Sequence, residues 1–243
     1  MKSISPNLNI MIKACEKASK TLIRDFGEVE NLQVSKKGPK DFVSITDKNV
    51  EKILIKELSK KKYSIISEET GLIDKKNKNF WIIDPIDGTT NFLHGIPHFC
   101  ISIAHVSNNE IISGVIFDPI KNEIFYGEKN SGAFLNNQRI RVSKKNNLDE
   151  CLFASNIDSN DGFNLNLRVS GSAALDLAYV ASGRYDGFFQ KNLNIWDVAA
   201  GVLILSEAGG KIADIDMSKI KKHTIIASSE IIYDNFNKLL KNF

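Results

Sequence analysis

The feature that most constrains the fold of this chain is the stretch from Phe80 to Phe92, which reads FWIIDPIDGTTNF. Its unbroken apolar start is typical of a strand that is buried on both faces, and Pro85 and Gly88 are expected to end that strand. Asp84 and Asp87 are therefore predicted to lie half buried at the end of a strand, on a backbone stiffened by proline.

Two carboxylates in this position are predicted to form a metal site. Like charges about 4 Å apart repel by roughly 4 kcal/mol at an effective dielectric of about 20, so such a pair takes up protons or binds a cation. The residues that follow, 88–91, have the composition of a helix start, whose free backbone amides bind phosphate. An Asp-Pro turn before a capped helix explains the dipeptide alone, but the whole string favours adjoining metal and phosphoryl sites.

Two short motifs occur in this order along the chain: WIIDPIDGT (Trp81–Thr89) and WDVAAG (Trp196–Gly201). In order and separation they resemble the first and second signatures of the inositol monophosphatase family. The segments Gly132–Ser143 and Gly171–Phe189 are also close to family sequence, so the resemblance runs over nearly the whole chain. It implies a layered α/β fold, an αβαβα sandwich of the inositol monophosphatase and fructose-1,6-bisphosphatase type, with the active site in a cleft between two parts.

The resemblance also implies the metal ligands. Glu68, Asp84 and the backbone carbonyl of Ile86 would hold one Mg²⁺ ion. Asp84, Asp87 and Asp197 would hold the second, and a third ion would use Glu68 and water molecules. All these donors are oxygens, and the histidines of the sequence show no paired ligand spacing, which favours Mg²⁺, or Mn²⁺ in its place, over zinc.

Catalysis would involve Asp47, Thr89 and Glu68, again by resemblance. Thr89 with Asp47 would orient and deprotonate the attacking water. The amides of Gly88 and Thr89 would hold the phosphate, and Lys36 would steer it toward the metal ions. Without the resemblance, Asp47 is a helix first-turn acid and Lys36 a surface lysine.

The substrate end of the site is expected to involve Gly171, Ser172 and Ala173, which match a family segment that lines the substrate pocket. Relatives that hydrolyse inositol phosphates usually carry a glutamate that binds substrate hydroxyls, and Gln190 stands at that position here. An amide hydrogen-bonds a hydroxyl but brings no negative charge, which changes the preference among polyols and amines. Asp176, one helical turn later, is a second candidate for the substrate end, although a solvated helix position is the favoured expectation for it.

Glu68 and Asp197 also have plainer interpretations. Glu68 with Glu69 follows a short strand and is, locally, a solvent-facing acidic pair. Asp197 falls in the first turn of a helix, where its charge is favourable to the helix dipole. The small residues beside Asp197, Ala199 and Ala200, suit close approach to another element.

The first part of the chain is predicted to hold an antiparallel sheet. A helix runs from Ser5 to Gly27, Val34–Ser44 forms a loop or loose hairpin, and Thr46 caps a second helix that has Asp47 in its first turn. Strands are predicted at Tyr63–Ser67, Phe99–Val106, Ile111–Asp118, Glu123–Tyr126 and Arg139–Ser143.

The polar segment Lys144–Glu150 is the best candidate boundary. It separates an N-terminal α+β part, 1–145, which carries the main metal motif, from a C-terminal α/β part, 146–243, which supplies Asp197. The second part alternates helices and strands. The strands are Cys151–Ser155, Leu165–Val169, Tyr185–Gln190, Lys211–Ile215 and Thr224–Ala227, and the helices are Ser172–Ser182, Asn194–Gly209 and Ser229–Leu240.

Composition excludes several other classes of protein. The net charge of +3, from 32 basic and 29 acidic residues, does not favour nucleic-acid binding. Neither a signal peptide nor an apolar run long enough for a membrane span is present, so a soluble, cytoplasmic protein is expected. The three cysteines have an odd count and no metal-ligand spacing, which fits a reducing compartment.

The expected function is a magnesium-dependent phosphate monoester hydrolase of the inositol-1-monophosphatase type, in which water attacks in line. One alternative is a phosphatase of the same family that acts on histidinol phosphate, fructose 1,6-bisphosphate, NADP or adenosine 3′,5′-bisphosphate. Another is a non-catalytic binding module that acts on RNA or the transcription machinery. The resemblance further implies a homodimer and inhibition by lithium, and it assigns no role to residues 156–164.

Overall fold

Two β-sheets and the helices that cover them make up the computed structural model, which describes residues 4–32, 39–73, 78–156, 165–213, 215, 220 and 223–240. The helices are α1 (Pro6–Leu32), α2 (Pro39–Leu58), α3 (Thr89–Leu93), α4 (Ala173–Ala181), α5 (Ile195–Glu207) and α6 (Glu230–Leu239), with a 3₁₀ turn at Leu148–Glu150. The strands are β1 (Ser64–Ser67), β2 (Gly71–Ile73), β3 (Asn79–Asp87), β4 (Cys100–Ser107), β5 (Glu110–Asp118), β6 (Glu123–Glu128), β7 (Gly132–Leu135), β8 (Gln138–Arg139), β9 (Leu152–Ser155), β10 (Asn166–Arg168), β11 (Gly187–Leu193), β12 (Gly210–Ile212) and β13 (His223–Ser229).

The first sheet has eight strands among the described residues, in the order β2-β1-β3-β4-β5-β6-β7-β8. Its strands pair antiparallel except for β1 and β3, which are parallel. The second sheet has five strands within the described ranges, in the order β10-β9-β11-β13-β12, and it is mixed. The antiparallel sheet predicted for the first part is therefore present except for the parallel pair of β1 and β3, and the second sheet, which was predicted only as part of an α/β half, is mixed.

The layers follow from which side chains share a core. Trp81 and Ile83 of β3 pack with the apolar faces of α1 and α2, whereas Ile82 packs with α4 and α5 on the opposite side. The same α4 and α5 contact the second sheet through Phe188, and the far face of that sheet packs against Phe236 of α6. The order is therefore α1α2, sheet, α4α5, sheet, α6, which confirms the predicted αβαβα sandwich.

This central layer spans the predicted boundary of the chain. The core around α4 and α5 takes residues from both sheets, so the two halves share one hydrophobic core. The division into 1–145 and 146–243 stays a prediction. In the part of the chain that the structure describes, no helix is both long enough and apolar enough to cross a membrane.

Close helix packing in the central layer depends on glycine. A Cβ at Gly201 of α5 would lie 2.6 Å from Leu177 Cβ of α4, and a Cβ at Gly114 of β5 would lie 2.7 Å from the Ala200 carbonyl oxygen. Both distances are shorter than van der Waals contact, so the backbones approach this closely only without side chains. The small residues of the second motif thus let α5 lie tightly between α4 and the first sheet.

The predicted start of the second helix was wrong. Helix α2 begins at Pro39, because proline is well suited to the first helical position, so Thr46 lies inside the helix and does not cap it. Its hydroxyl donates instead to Asp25 Oδ2 at 3.0 Å. Asp47 is consequently two turns inside the helix and not in its first turn. The remaining part of the predicted loop, 34–38, lies outside the described residues.

Other boundaries also shifted. Helix α1 continues through Gly27 to Leu32, where the buried Val29 extends its apolar face. Strand β3 continues through Pro85 to Asp87, with a register shift against β4 between Asp84 and Asp87. Proline has no N–H to pair, so it is tolerated where the ladder is interrupted.

The strand predicted at Arg139–Ser143 is reduced to Gln138–Arg139, which forms a hairpin with β7. Asn136 and Asn137 form its turn with φ values of 46° and 69°. Asparagine tolerates this left-handed conformation, which two-residue hairpin turns require.

Glu207, the last residue of α5, anchors the central helix to the first sheet. Its carboxylate accepts hydrogen bonds from the backbone N–H groups of Asn130 (2.7 Å), Ser131 (3.0 Å) and Gly132 (2.7 Å) in the turn before β7. A negative charge at a helix C-terminus is unfavourable to the helix dipole, but three amide donors offset this.

Replacing Glu207 with alanine is expected to lower the free energy of unfolding by about 2–3 kcal/mol, because it leaves amides of the turn without their charged acceptor. The matched control is Glu110→Ala, which removes an exposed ion pair to Lys129 (2.6 Å) and should change stability by less than about 1 kcal/mol. Urea unfolding followed by circular dichroism measures both. Equal losses for the two variants would contradict the anchoring role.

Candidate active site

A cavity of about 270 Å³ opens where both sheets, α3, α4 and α5 meet. It is lined by most of the residues that the sequence pointed to, namely Glu68, Asp84, Ile86, Asp87, Gly88, Thr89, Gly171, Ser172, Ala173, Gln190 and Asp197. Asp47 is not part of this lining, although its carboxyl lies near enough to Glu68 and Glu69 to feel their charges. Lys36 lies outside the described residues, as do residues 157–164.

Asp84 is the most buried carboxylate of the cavity, with 1% of its surface exposed. Its Oδ1 accepts a hydrogen bond from the backbone N–H of Ile86 at 3.0 Å. This bond spans Pro85 and fixes the carboxylate at the irregular end of β3. The charge of Glu68 acts on the Asp84 carboxyl group, and Glu68 is the most exposed of the four acids Glu68, Asp84, Asp87 and Asp197.

Asp87 is held by the N-terminus of α4. Its Oδ2 accepts from the Ser172 hydroxyl at 2.5 Å and from the Ala174 backbone N–H at 2.7 Å, and the Cys100 thiol lies 3.8 Å away. Ser172 is the N-cap of α4, so a carboxylate from the first sheet occupies the amide end of a helix from the second part. One oxygen of Asp87 is therefore fixed, which leaves the other for a ligand.

Asp197 enters the cavity from α5. It lies in the first turn of the helix, as predicted, and its Oδ2 accepts from the Asn194 backbone N–H at 2.7 Å. This capping bond orients the carboxylate toward the cavity that it lines. Because α5 is the buried central helix, Asp197 is carried by a rigid element.

Gly88 makes the sharp change of direction from β3 into α3. Its φ is +96°, and a Cβ there would lie 3.0 Å from the His98 carbonyl oxygen, so a residue with a side chain would be strained and crowded. The next side chain, Thr89, donates its hydroxyl to the Ile86 carbonyl at 2.9 Å. The hydroxyl therefore contacts the carbonyl that was expected to bind a metal ion, and the hydrogen bonds of the described residues do not join it to Asp47.

The carboxylates of the site disfavour each other's ionisation. Burial, followed by the charges of Glu69, Glu68 and Glu51, raises the pKa of Asp47 to about 8. Burial, followed by the charge of Asp87, raises the pKa of Asp197 to about 7. The pKa of Asp84 lies well above its usual range for the same reasons, burial first and then the charge of Glu68.

These acids fit a metal ion of the hard class. Glu68, Asp84, Asp87 and Asp197 take part in none of the ion pairs among the described residues. No lysine or arginine in the described part of the chain therefore neutralises these four acids by direct contact. The donors are carboxylate and carbonyl oxygens, which suit Mg²⁺ or Mn²⁺. Within the described ranges, no three acidic, histidine or cysteine side chains already stand together as a ligand set. The acids therefore fit such an ion by their charge and their oxygen donors. Binding of the ion would have to draw these side chains closer together.

The sequence analysis missed part of the site. Asp176, expected in solvent, is 2% exposed and lines the cavity, and burial raises its pKa well above the usual range. Asn91 was assigned only to the helix start, yet its Nδ2 donates to the carbonyls of His98 (2.7 Å) and Ser170 (2.8 Å) and so joins the α3 segment to the approach to α4. A signal for Asp176 was present, because it is the one charged residue in the apolar segment AALDLAYVA.

The layered fold and the cavity define a class of α/β sandwich proteins with an acid-lined cavity between two sheets, and the sequence comparison identifies the family. The profile of the inositol monophosphatase family matches residues 4–242, so the chain belongs to this family. Its members are generally magnesium-dependent phosphatases.

Individual relatives carry two kinds of name. An inositol-1-monophosphatase of Mesorhizobium japonicum is 42% identical over 96% of this chain and 96% of its own length. The Nus factor SuhB of Xylella fastidiosa is 41% identical over 86% of this chain and 82% of its own length. Among solved structures, the extragenic suppressor protein suhB of Bartonella henselae has a TM-score of 0.86 and 44% identity, and the match covers 98% of this chain and 99% of that one.

The raised pKa values predict a pH-dependent stability. Unfolded aspartates titrate near a pKa of about 3.9, whereas Asp197 and Asp47 in the fold titrate at about 7 and about 8. Between these values the folded state binds more protons than the unfolded state, so stability falls as the pH rises from about 4 to about 8. A cation replaces the lost protons, so stabilisation by Mg²⁺ should grow over the same interval.

Thermal unfolding at about pH 5.5 and about pH 8, with EDTA or with millimolar Mg²⁺, checks this expectation. The melting temperature with EDTA should be lower at the higher pH, and Mg²⁺ should raise it mainly there. Sodium chloride at matched ionic strength is the control for screening. A shift by Mg²⁺ that is the same at both pH values would contradict the linkage.

Proposed function

We propose that this protein is a magnesium-dependent phosphate monoester hydrolase that acts on inositol 1-phosphate by direct in-line attack of water. The observation that carries the proposal is that four acids from both parts of the chain line one cavity and form no ion pair among the described residues, namely Glu68, Asp84, Asp87 and Asp197. Such a cavity is suited to metal ions, which can supply much of the large rate acceleration that the extremely slow hydrolysis of a phosphate monoester requires.

Two metal ions are part of the proposal. Glu68, Asp84 and the Ile86 carbonyl would hold one, and Asp84, Asp87 and Asp197 the other, with Mn²⁺ as an alternative to Mg²⁺ and a third ion near Glu68. When bound, the ions supply positive charge for the phosphoryl group and the leaving oxygen, and they lower the pKa of a bound water. The hydrogen bonds that fix Asp84, Asp87 and Asp197 by one oxygen each support this assignment, since they orient the free oxygens.

The chain's own groups would bind the phosphoryl group and move the proton. The amides of Gly88 and Thr89 at the start of α3 would hold phosphate oxygens, with Lys36 as a steering charge. Thr89 and Asp47 would orient the water, and Asp47 would accept its proton with the help of Glu68. In the protein without bound ions, burial and the neighbouring acids raise the pKa of Asp47 to about 8, and bound cations would lower it by offsetting those negative charges.

Inositol 1-phosphate is the proposed substrate because the family and the Mesorhizobium japonicum relative point to it. Gln190 lines the cavity, together with Gly171, Ser172 and Ala173, and would hydrogen-bond substrate hydroxyls as a neutral group. A related phosphatase activity on histidinol phosphate, fructose 1,6-bisphosphate, NADP or adenosine 3′,5′-bisphosphate is the alternative within the family. The proposal also includes inhibition by lithium and assembly as a homodimer. Loss of activity in millimolar lithium and a dimer mass in light scattering would support these two properties.

A regulatory role is the second candidate, and the observation that favours it is the similarity to the Nus factor SuhB of Xylella fastidiosa. Such a role would place the partner in the transcription machinery. The near-neutral net charge of +3 does not favour direct binding to nucleic acid. The two roles are compatible with one chain and differ in whether the acids of the cavity are needed.

The test of the proposed function is phosphate release from a panel of monoesters by the purified protein. With Mg²⁺, inositol 1-phosphate should be hydrolysed well above histidinol phosphate, fructose 1,6-bisphosphate, NADP and adenosine 3′,5′-bisphosphate, and EDTA should abolish release. Preference for another compound would correct the substrate but keep the reaction. Absence of release from every compound, with Mg²⁺ or Mn²⁺, would leave the regulatory role.

Asp84→Asn is expected to lower kcat/KM by at least about 100-fold, because a metal ion contributes several kcal/mol of transition-state stabilisation and each 1.36 kcal/mol is worth about tenfold. The matched control is Asp149→Asn, which makes the same chemical change at an exposed position outside the cavity. It should leave turnover unchanged. A biological effect that survives Asp84→Asn while turnover is lost would assign that effect to binding and not to catalysis.

A further inference from the structure

Asp176 is a buried carboxyl group that the proposed mechanism does not use. It lies in the first turn of α4, all of whose residues are buried, and it lines the cavity with 2% of its surface exposed. Burial of a carboxyl group among apolar side chains is unfavourable unless hydrogen bonds compensate for the lost water. The described residues provide no ion pair for it.

The Asp176 side chain is oriented by the segment that precedes α4. The Ser170 hydroxyl donates to Asp176 Oδ1 at 2.6 Å, and the Ser172 backbone N–H approaches the same hydroxyl at 3.3 Å. The Ser170 carbonyl in turn accepts from Asn91 Nδ2 at 2.8 Å. Among the described residues only Ser170 hydrogen-bonds the Asp176 side chain, so the second carboxyl oxygen is available to the cavity.

Gly171 lets this segment lie so close to α3. Its φ is +85°, and a Cβ there would lie 2.9 Å from Asn91 Nδ2. Because Asn91 belongs to α3, the orientation of Asp176 is tied to the element that would hold the phosphate. A fixed carboxyl group in a fixed relation to the phosphate end is suited to selecting what the phosphate is attached to.

The position of Asp176 in the cavity identifies its ligand. In the proposed function, the metal-binding acids and the start of α3 form the phosphate end of the cavity. The lining residues that come from the second part of the chain include Ser155, Val169, Asp176 and Gln190. The leaving alcohol would contact this part of the lining, in which Asp176 is the one acidic residue among the described residues besides the proposed metal ligands.

We propose that Asp176 is a specificity-determining residue that hydrogen-bonds the hydroxyl groups of the leaving alcohol. The inference rests on the proposed function and deepens it, because it assigns a residue of this chain to the recognition of the leaving alcohol. Gln190 and Asp176, which both line the cavity, then recognise the alcohol together: the amide binds one hydroxyl, and the carboxyl group binds another. A site built to hydrogen-bond a hydroxyl discriminates strongly against a compound that lacks it.

Steady-state kinetics of Asp176→Asn tests this proposal. Asparagine keeps the shape and the acceptor for Ser170, but it removes the carboxyl group. With Mg²⁺ and inositol 1-phosphate, or whichever polyol phosphate the wild type prefers, KM should rise about tenfold with little change in kcat. With phenyl phosphate, whose leaving alcohol has no further hydroxyl, both constants should stay within about twofold. Asp149→Asn should match the wild type on both substrates.

Each other outcome overturns the proposal. An equal loss on the two substrates would show that Asp176 serves the structure of the site, and no change on either would show that it does not contact the alcohol. If Asp176→Asn fails to fold by circular dichroism, Ser170→Ala replaces it. That variant keeps the carboxyl group but frees it, and it should raise KM for the polyol phosphate alone. A wild type that hydrolyses both substrates upholds the proposed function whatever the variants do, whereas a wild type without turnover removes both.

Discussion

The main constraint on this structure is the mutual repulsion of the carboxylates in its central cavity, which the rest of the fold must offset. Glu68, Asp84, Asp87 and Asp197 come from distant parts of the chain, and their charges raise one another's pKa values or those of their neighbours. Folding brings them together at a cost that tight helix packing and local hydrogen bonds must offset. The negative charge of the cavity therefore favours the binding of positive charge, either as protons on the carboxylates or as metal ions.

The elements that hold these acids are the same ones that hold the molecule together. Asp87 of the first sheet accepts hydrogen bonds from the start of α4, and Asp197 caps the start of α5. At its other end α5 is fixed to the first sheet by Glu207. Stability and site geometry are thus supported by one set of contacts, which keeps each carboxylate in place against its repulsion from the others.

Much of this architecture was visible in the sequence, because it is expressed locally. The apolar run before Asp84 predicted a strand buried on both faces, and the small residues after Asp197 predicted close helix packing. The start of α2 was missed because Thr46 is a good cap residue by type, yet it is used for a side-chain bond to Asp25, which only the fold brings near. Asp176 was missed for a related reason. An acidic residue in a helix is usually expected to face solvent, whereas the burial of Asp176 depends on a sheet that packs over α4. Lys36 and residues 157–164 lie outside the described residues, so the structure adds nothing to their assignment.

The bond between Asp87 and α4 has a consequence for synthesis of the chain. During translation the first sheet, with Asp84 and Asp87, leaves the ribosome well before Ser172 and Ala174 are made. Until α4 arrives, Asp87 lacks the donors that fix it, and until α5 arrives the cavity lacks Asp197. A nascent chain that has emerged only as far as the first sheet therefore lacks part of the proposed cation site. Tight binding of a metal ion there would accordingly require the chain to be made through α5.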